Sequence, residues 1–228
     1  MITLSASRSV GLLLIFVFVS LLSSGCRTNS HSDEVQVRLI NAMSMSRGLT
    51  VSVDGQRVWK DSRFRSSTGY QGMGAGTYGL RLDADTSGTG SVLSRPMTFE
   101  KGHRYTVLAL GRERGSAARV QLLDDEASGR DTPEKAQLRL IEASAQIGPV
   151  DLVVNNIVGV KAVGFGKRSP ALLLDRGNYD LKVVSADTPD TVAGPISLRL
   201  EAGHSYTLVT MGEPSSGDLT LEAYSDTP

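Results

Sequence analysis

The chain repeats itself. Shifted by 101 positions, its two halves fall on each other without a gap. Arg38-Leu39-Ile40 meets Arg139-Leu140-Ile141, Ala42 meets Ala143, and Phe64 meets Phe165. Gly76 and Tyr78 meet Gly177 and Tyr179. Glu100, Gly102, His103, Tyr105 and Thr106 meet Glu201, Gly203, His204, Tyr206 and Thr207, and Gly111 meets Gly212. Such a period is too long for a solenoid unit and suits a domain, so each copy is expected to have its own core and to fold alone.

Within a copy the residues alternate as strands do. Val35, Val37 and Leu39 alternate with Gln36 and Arg38, the period-2 mark of a half-buried strand. Leu49 to Val53 is a second run; Asp54-Gly55 supplies a positive-φ hairpin turn, and Gln56 to Lys60 returns. Asn155-Asn156 stands at the same turn of the second copy. Tyr78 to Leu82, Met97 to Phe99, the apolar run Tyr105 to Leu110, and Arg119 to Leu123 complete the set. No stretch after the N-terminal segment shows a 3.6-residue period of helical length. The predicted fold class is therefore all-β, two β-sandwiches in tandem. The boundaries expected are a first repeat over 35–128, a polar linker over 129–137 containing Pro133, and a second repeat over 138–228.

The apolar run Val10 to Leu22 follows Arg8. Thirteen helical residues reach about 20 Å, short of the ~30 Å hydrocarbon layer. Residues 1–25 therefore read as a signal peptide. Ser23-Ser24-Gly25-Cys26 comes next and resembles the lipobox of bacterial lipoproteins, with Ser23 where leucine is usual. The resemblance implies lipidation at Cys26, and Arg27 after it implies the outer membrane in a Gram-negative cell. Residues 26–34 are then the lipidated cysteine and a polar tether.

The repeated motifs also resemble a known family. Leu39-Ile40-Asn41-Ala42, Val51-Ser52-Val53-Asp54-Gly55, Gly76-Thr77-Tyr78 and Gly102-His103-Arg104-Tyr105-Thr106-Val107 are similar to the bacterial domain of unknown function numbered 4397. So are Leu140-Ile141-Glu142-Ala143-Ser144, Pro149 to Val154 and Ala202 to Thr207 in the second copy. The resemblance implies immunoglobulin-like sandwiches in secreted or surface-attached proteins, and carries no functional residues.

Candidate chemistry is sparse. With one cysteine, no disulfide forms within the chain and no multi-cysteine metal site exists. His103 and His204 each follow a turn glycine and suit a turn better than a metal or a catalytic centre. No Gly-x-Ser-x-Gly elbow occurs, and Gly69 to Gly76 lacks the Gly-Lys-Ser/Thr of a phosphate loop and reads as a turn. Tyr78 and Tyr179 suit corner tyrosines whose hydroxyls tie back to the backbone. Phe64 and Phe165 are expected in the core. Trp59 has Val160 as its counterpart, which favours packing; with Lys60, Arg63 and Arg65 it is also the one candidate binding patch. No catalytic, cofactor-binding or metal-binding residue is assigned.

Charge balances overall, 24 basic against 24 acidic, which argues against a nucleic-acid partner. It splits by copy. Residues 35–125 hold 13 Lys and Arg against 8 Asp and Glu, or +5; residues 136–228 hold 7 against 11, or −4. The sequence thus leads to an exported, non-enzymatic cell-envelope lipoprotein with a binding or structural role. Its expected partners are the membrane through the lipid, anionic lipid or cell-wall polymer facing the first copy, and an envelope protein. A carbohydrate-binding or adhesive module is the alternative, lowered by only 5% aromatic residues. An envelope hydrolase or inhibitor ranks behind it.

Overall fold

The structure, a computed structural model, describes residues 34–44, 48–84, 91–111, 119–125 and 133–226. The segment expected as a signal peptide, Cys26, the tether as far as residue 33 and the first four residues of the expected linker lie outside the described residues.

The first copy contains β1 (Glu34–Ala42), β2 (Leu49–Val53), β3 (Gln56–Ser62), β4 (Ser66–Ser67), β5 (Gln71–Gly74), β6 (Gly76–Ala84), β7 (Ser91–Phe99), β8 (Arg104–Leu110) and β9 (Arg119–Asp124). One sheet runs β3-β2-β6-β7, antiparallel throughout. The other runs β4-β1-β8-β9, with β5 also on β1. Here β1 and β8 are parallel, Val37 opposite Tyr105 and Leu39 opposite Val107. β5 lies inside the glycine-rich stretch read as a turn. Its Gly72 and Gly74 pair with β1 through backbone alone, which side-chain periodicity does not reveal.

The second copy repeats the plan with β10 (Ala136–Glu142), β11 (Val150–Val154), β12 (Ile157–Val163), β13 (Leu172–Leu174), β14 (Gly177–Ser185), β15 (Thr191–Leu200), β16 (Ser205–Met211) and β17 (Thr220–Ser225). Its sheets run β12-β11-β14-β15 and β13-β10-β16-β17. The registers coincide after the 101-residue shift: Val51 faces Trp59 in one copy, and Leu152 faces Val160 in the other. Asp54 and Gly55, like Asn155 and Asn156, hold positive φ at their hairpin turns, as their sequence predicts. The only helical element among the described residues is a single 3-10 turn at Pro214–Ser216. The chain is two β-sandwiches in tandem.

Each sandwich has its own core. Val37, Leu39, Leu49, Val51, Leu80, Phe99 and Val107 fill the first, and Leu138, Leu140, Leu152, Leu181, Val183 and Leu208 the second. A third apolar cluster belongs to neither alone. Ile40, Ala42, Leu108, Leu110 and Leu123 of the first copy meet Ile141, Ala143, Val209 and Met211 of the second. The sheets containing β1 and β10 therefore meet through the faces turned away from their own cores, forming a seam. Phe64 and Phe165 pack there instead of inside either sandwich.

The chain enters and leaves both copies at one end of the stack. Gln36 N–H donates to the His103 carbonyl, Asp125 N–H to Arg104, Gln137 N–H to His204, and Asp226 N–H to Ser205. Strand starts and strand ends thus sit side by side. The two sandwiches lie abreast.

Candidate functional site

In β1, the period-2 pattern turns Val35, Val37 and Leu39 inward and sends Arg38 to the opposite face. That face is the seam, so Arg38 is 1% exposed. Its counterpart Arg139 is buried likewise. Asp125 follows β9 and Asp226 follows β17, and both enter the seam at the same level.

The contacts cross between the copies. Arg38 Nη1 lies 2.7 Å from Asp226 Oδ1, Arg38 Nε donates to Thr106 Oγ1 at 2.8 Å, and Nη2 donates to Thr207 Oγ1 at 3.2 Å. Arg139 Nη1 lies 3.6 Å from Asp125 Oδ1. Thr106 donates to Asp125 and Thr207 to Asp226. The arrangement is close to two-fold, as expected when a duplicated face meets its own copy.

The symmetry is incomplete. Arg38 takes both threonines, while the buried Arg139 Nε has no hydrogen-bond partner among the described residues and lies 4.0 Å from Asp226 Oδ2. Arg168 Nη1 binds Asp125 Oδ1 at 3.0 Å, where the first copy has Ser67. Tyr70 donates to Asp125 Oδ2 at 2.9 Å, and its ring lies under the guanidinium groups of Arg38 and Arg104 at 4.7 and 4.2 Å. Arg104 also donates to the Asp226 carbonyl.

The electrostatics follow. Burial pulls the Arg38 pKa down, but Asp226, Tyr70 and Asp125 together hold it above the ordinary value. Burial lowers Arg139, and the neighbouring Arg168 cation adds to that effect against Asp226 and Asp125. Burial also raises Tyr70, with Asp125 and Asp226 helping, so its hydroxyl stays protonated and donates. These groups pair, clamp and specify how the two sheets meet. Such a network stabilises little over an apolar seam, but loss of one partner is expensive.

Elsewhere, a buried carboxyl stands at the other end of β10. Glu142 is fully buried, and burial pushes its pKa up to about 8. Its Oε1 accepts from Ser144 N–H at 2.6 Å, while Oε2 has no hydrogen-bond partner among the described residues. In the first copy Asn41 does the same backbone work without a charge, accepting from Met43 N–H at 2.9 Å.

The candidate patch of the sequence is dispersed. Trp59 is 5% exposed and belongs to the first core. Lys60 and Arg63 are exposed. Arg65 reaches across to the second copy, donating to the Asp218 carbonyl at 3.1 Å and lying 3.7 Å from Glu222. His103 Nδ1 lies 2.9 Å from Asp124 and its ring stacks on Tyr105; His204 lies against the Ala202 carbonyl instead. Tyr78 and Tyr179 tie back as expected, to the carbonyls of Gly74 at 3.0 Å and Asp175 at 2.9 Å. No group of three or more His, Cys, Asp or Glu able to hold a metal occurs among the described residues.

The seam escapes the sequence reading, in which Arg38 and Arg139 are only repeated strand residues. Asp125 falls near the end of the expected first repeat, and Tyr70 in a glycine-rich turn. The duplication holds the missing signal: the 101-residue shift that aligns Arg38 with Arg139 also aligns Asp125 with Asp226.

A duplicated sandwich joined through a charged seam is a class of architecture, and sequence comparison gives it a family. Residues 35–153 and 136–228 each match the family described as Domain of unknown function (DUF4397), and the chain belongs to it. No curated protein matches the chain. Among solved structures, the Bacillus anthracis TIE protein is similar at 9% identity and a TM-score of 0.26, over 79% of this chain and 34% of that one. A leucine-rich repeat protein from Bacteroides thetaiotaomicron VPI-5482 is similar at 15% identity and a TM-score of 0.19, over 79% and 26%. The chain spans about a third and about a quarter of those two chains.

Proposed function

We propose that the protein is an exported, lipid-anchored component of the bacterial cell envelope with a binding or structural role and no catalysis of its own. One observation carries the non-catalytic reading. The clustered ionisable side chains Arg38, Arg139, Arg168, Asp125 and Asp226 are engaged with one another across the seam. They join the two copies and are withdrawn from solvent. The anchored reading rests on the apolar run Val10 to Leu22 followed by Ser-Ser-Gly-Cys26. A tether of eight residues, Arg27 to Glu34, spans at most about 29 Å, so both copies stay close to the surface that holds the lipid. Lys60 and Arg63 are exposed on the basic first copy and suit anionic lipid or wall polymer.

The test is metabolic labelling with a palmitate analogue in cells carrying the wild type or Cys26→Ser. Label is expected in the wild type alone, with the serine variant leaving the membrane fraction. Equal label in both would remove the anchor from the proposal.

A further inference from the structure

The two copies differ at one edge. β3 and β12 are matching edge strands, each paired on one side only, with β2 and β11 respectively. An edge strand offers a row of free backbone groups, and proteins blunt such edges with charge or cover. β3 is blunted: Arg57, Lys60 and Asp61 are exposed along it. β12 reads Ile-Val-Gly-Val-Lys-Ala-Val, with Lys161 its only charge. Of the four large apolar side chains exposed among the described residues, Ile157 (72%), Val158 (43%) and Leu173 (48%) lie on β12 or the neighbouring β13.

A groove accompanies the bare edge. It measures about 280 Å³ and is lined by Gly159, Val160, Lys161, Pro170, Ala171 and Leu172. In the first copy, the position of Val160 is held by Trp59, whose side chain is buried against that sandwich's core. Valine carries less volume at this position than the indole does. Gly159 permits the close approach of β13: a Cβ there would meet Leu172 Cδ2 at 2.8 Å.

We propose that β12 and this groove are a docking site for an extended segment of another protein. The segment adds as a strand to β12, places a large apolar side chain in the groove beside Val160, and sets a carboxylate against Lys161. Backbone pairing with pockets for alternate side chains is the chemistry of strand addition. Charge complementarity to the lone Lys161 selects an acidic partner. Beyond residue 26, the chain's own segments outside the described residues hold one large apolar side chain, Met45 in the three-residue stretch 45–47, which is too short to add as a strand.

The experiment selects a phage-displayed library of random nonapeptides against the full chain. Enriched peptides should alternate apolar residues, include an aromatic and an acidic one, and slow hydrogen exchange over 157–163. Val160→Trp, which installs the first copy's residue, should weaken them at least tenfold; circular dichroism and the melting point report whether it folds. Lys161→Glu, at an exposed position, keeps the fold and should turn the selection towards basic peptides. Peptides that bind Val160→Trp as tightly as the wild type, selections unchanged by Lys161→Glu, or no enrichment at all would each overturn the proposal.

Discussion

Arg38 of the first copy lies 2.7 Å from Asp226 of the second, and both side chains are almost fully buried. Asp226→Ala leaves a guanidinium without its counter-ion in the seam, so a loss of about 3–5 kcal/mol is expected in urea unfolding. The double variant Arg38→Met with Asp226→Leu removes both charges and should recover most of that loss. If the single variant unfolds like the wild type, the pair does not hold the seam.

Glu142 makes stability depend on pH. Its folded pKa of about 8 exceeds the ordinary value of 4.5, so between those values the folded state holds more protons than the unfolded. The site costs nothing below the lower value. As pH rises through the window it removes stability, by at most about 1.4 kcal/mol per pH unit, and the cost levels off above pH 8. Glu142→Gln should flatten this slope. The check is urea unfolding of both proteins from pH 5 to 9; parallel curves would rule the effect out.

The corner tyrosines make equivalent bonds, Tyr78 to Gly74 and Tyr179 to Asp175. Tyr78→Phe and Tyr179→Phe should each cost about 0.5–1.5 kcal/mol. The sites are far apart in separate sandwiches, so the double variant should show the sum. A clear departure from additivity would mean that the seam couples the two corners.

Residues 34–125 and 133–226, made as separate chains, each expose half of the seam. Ile40, Leu108 and Leu110 would face water in one, and Ile141, Val209 and Met211 in the other. Light scattering on a mixture should find a one-to-one complex. Each half alone should dimerise, since Arg38 with Asp125, or Arg139 with Asp226, offers both members of the crossed pair. Monomers throughout would show that the linker, not the seam, holds the copies together.

The sandwiches are legible because alternation and turn chemistry are local. Val35, Val37 and Leu39 alternate whatever surrounds them, and Asp54-Gly55 turns the chain by itself. The seam is illegible for the same reason. Alternation says that Arg38 and Ile40 share a face, but not whether that face meets water or a second sheet. Trp59 among Lys60, Arg63 and Arg65 looks like a surface patch for a related reason. The β-bulge in β3, with Asp61 at positive φ, interrupts simple alternation just after the buried indole.

The parallel pairing of β1 with β8, and of β10 with β16, brings the chain in and out of both copies at one end. The molecule therefore has a stem and a crown. The stem carries the N-terminal approach at Glu34 and the C-terminal departure at Asp226. The crown carries the connections after β10 and β16, among them the stretch from Ala145 to Gly148. A tag appended after Asp226 would start beside the stem, while a sequence inserted between Gln146 and Ile147 would stand at the far end, away from Glu34 and Asp226.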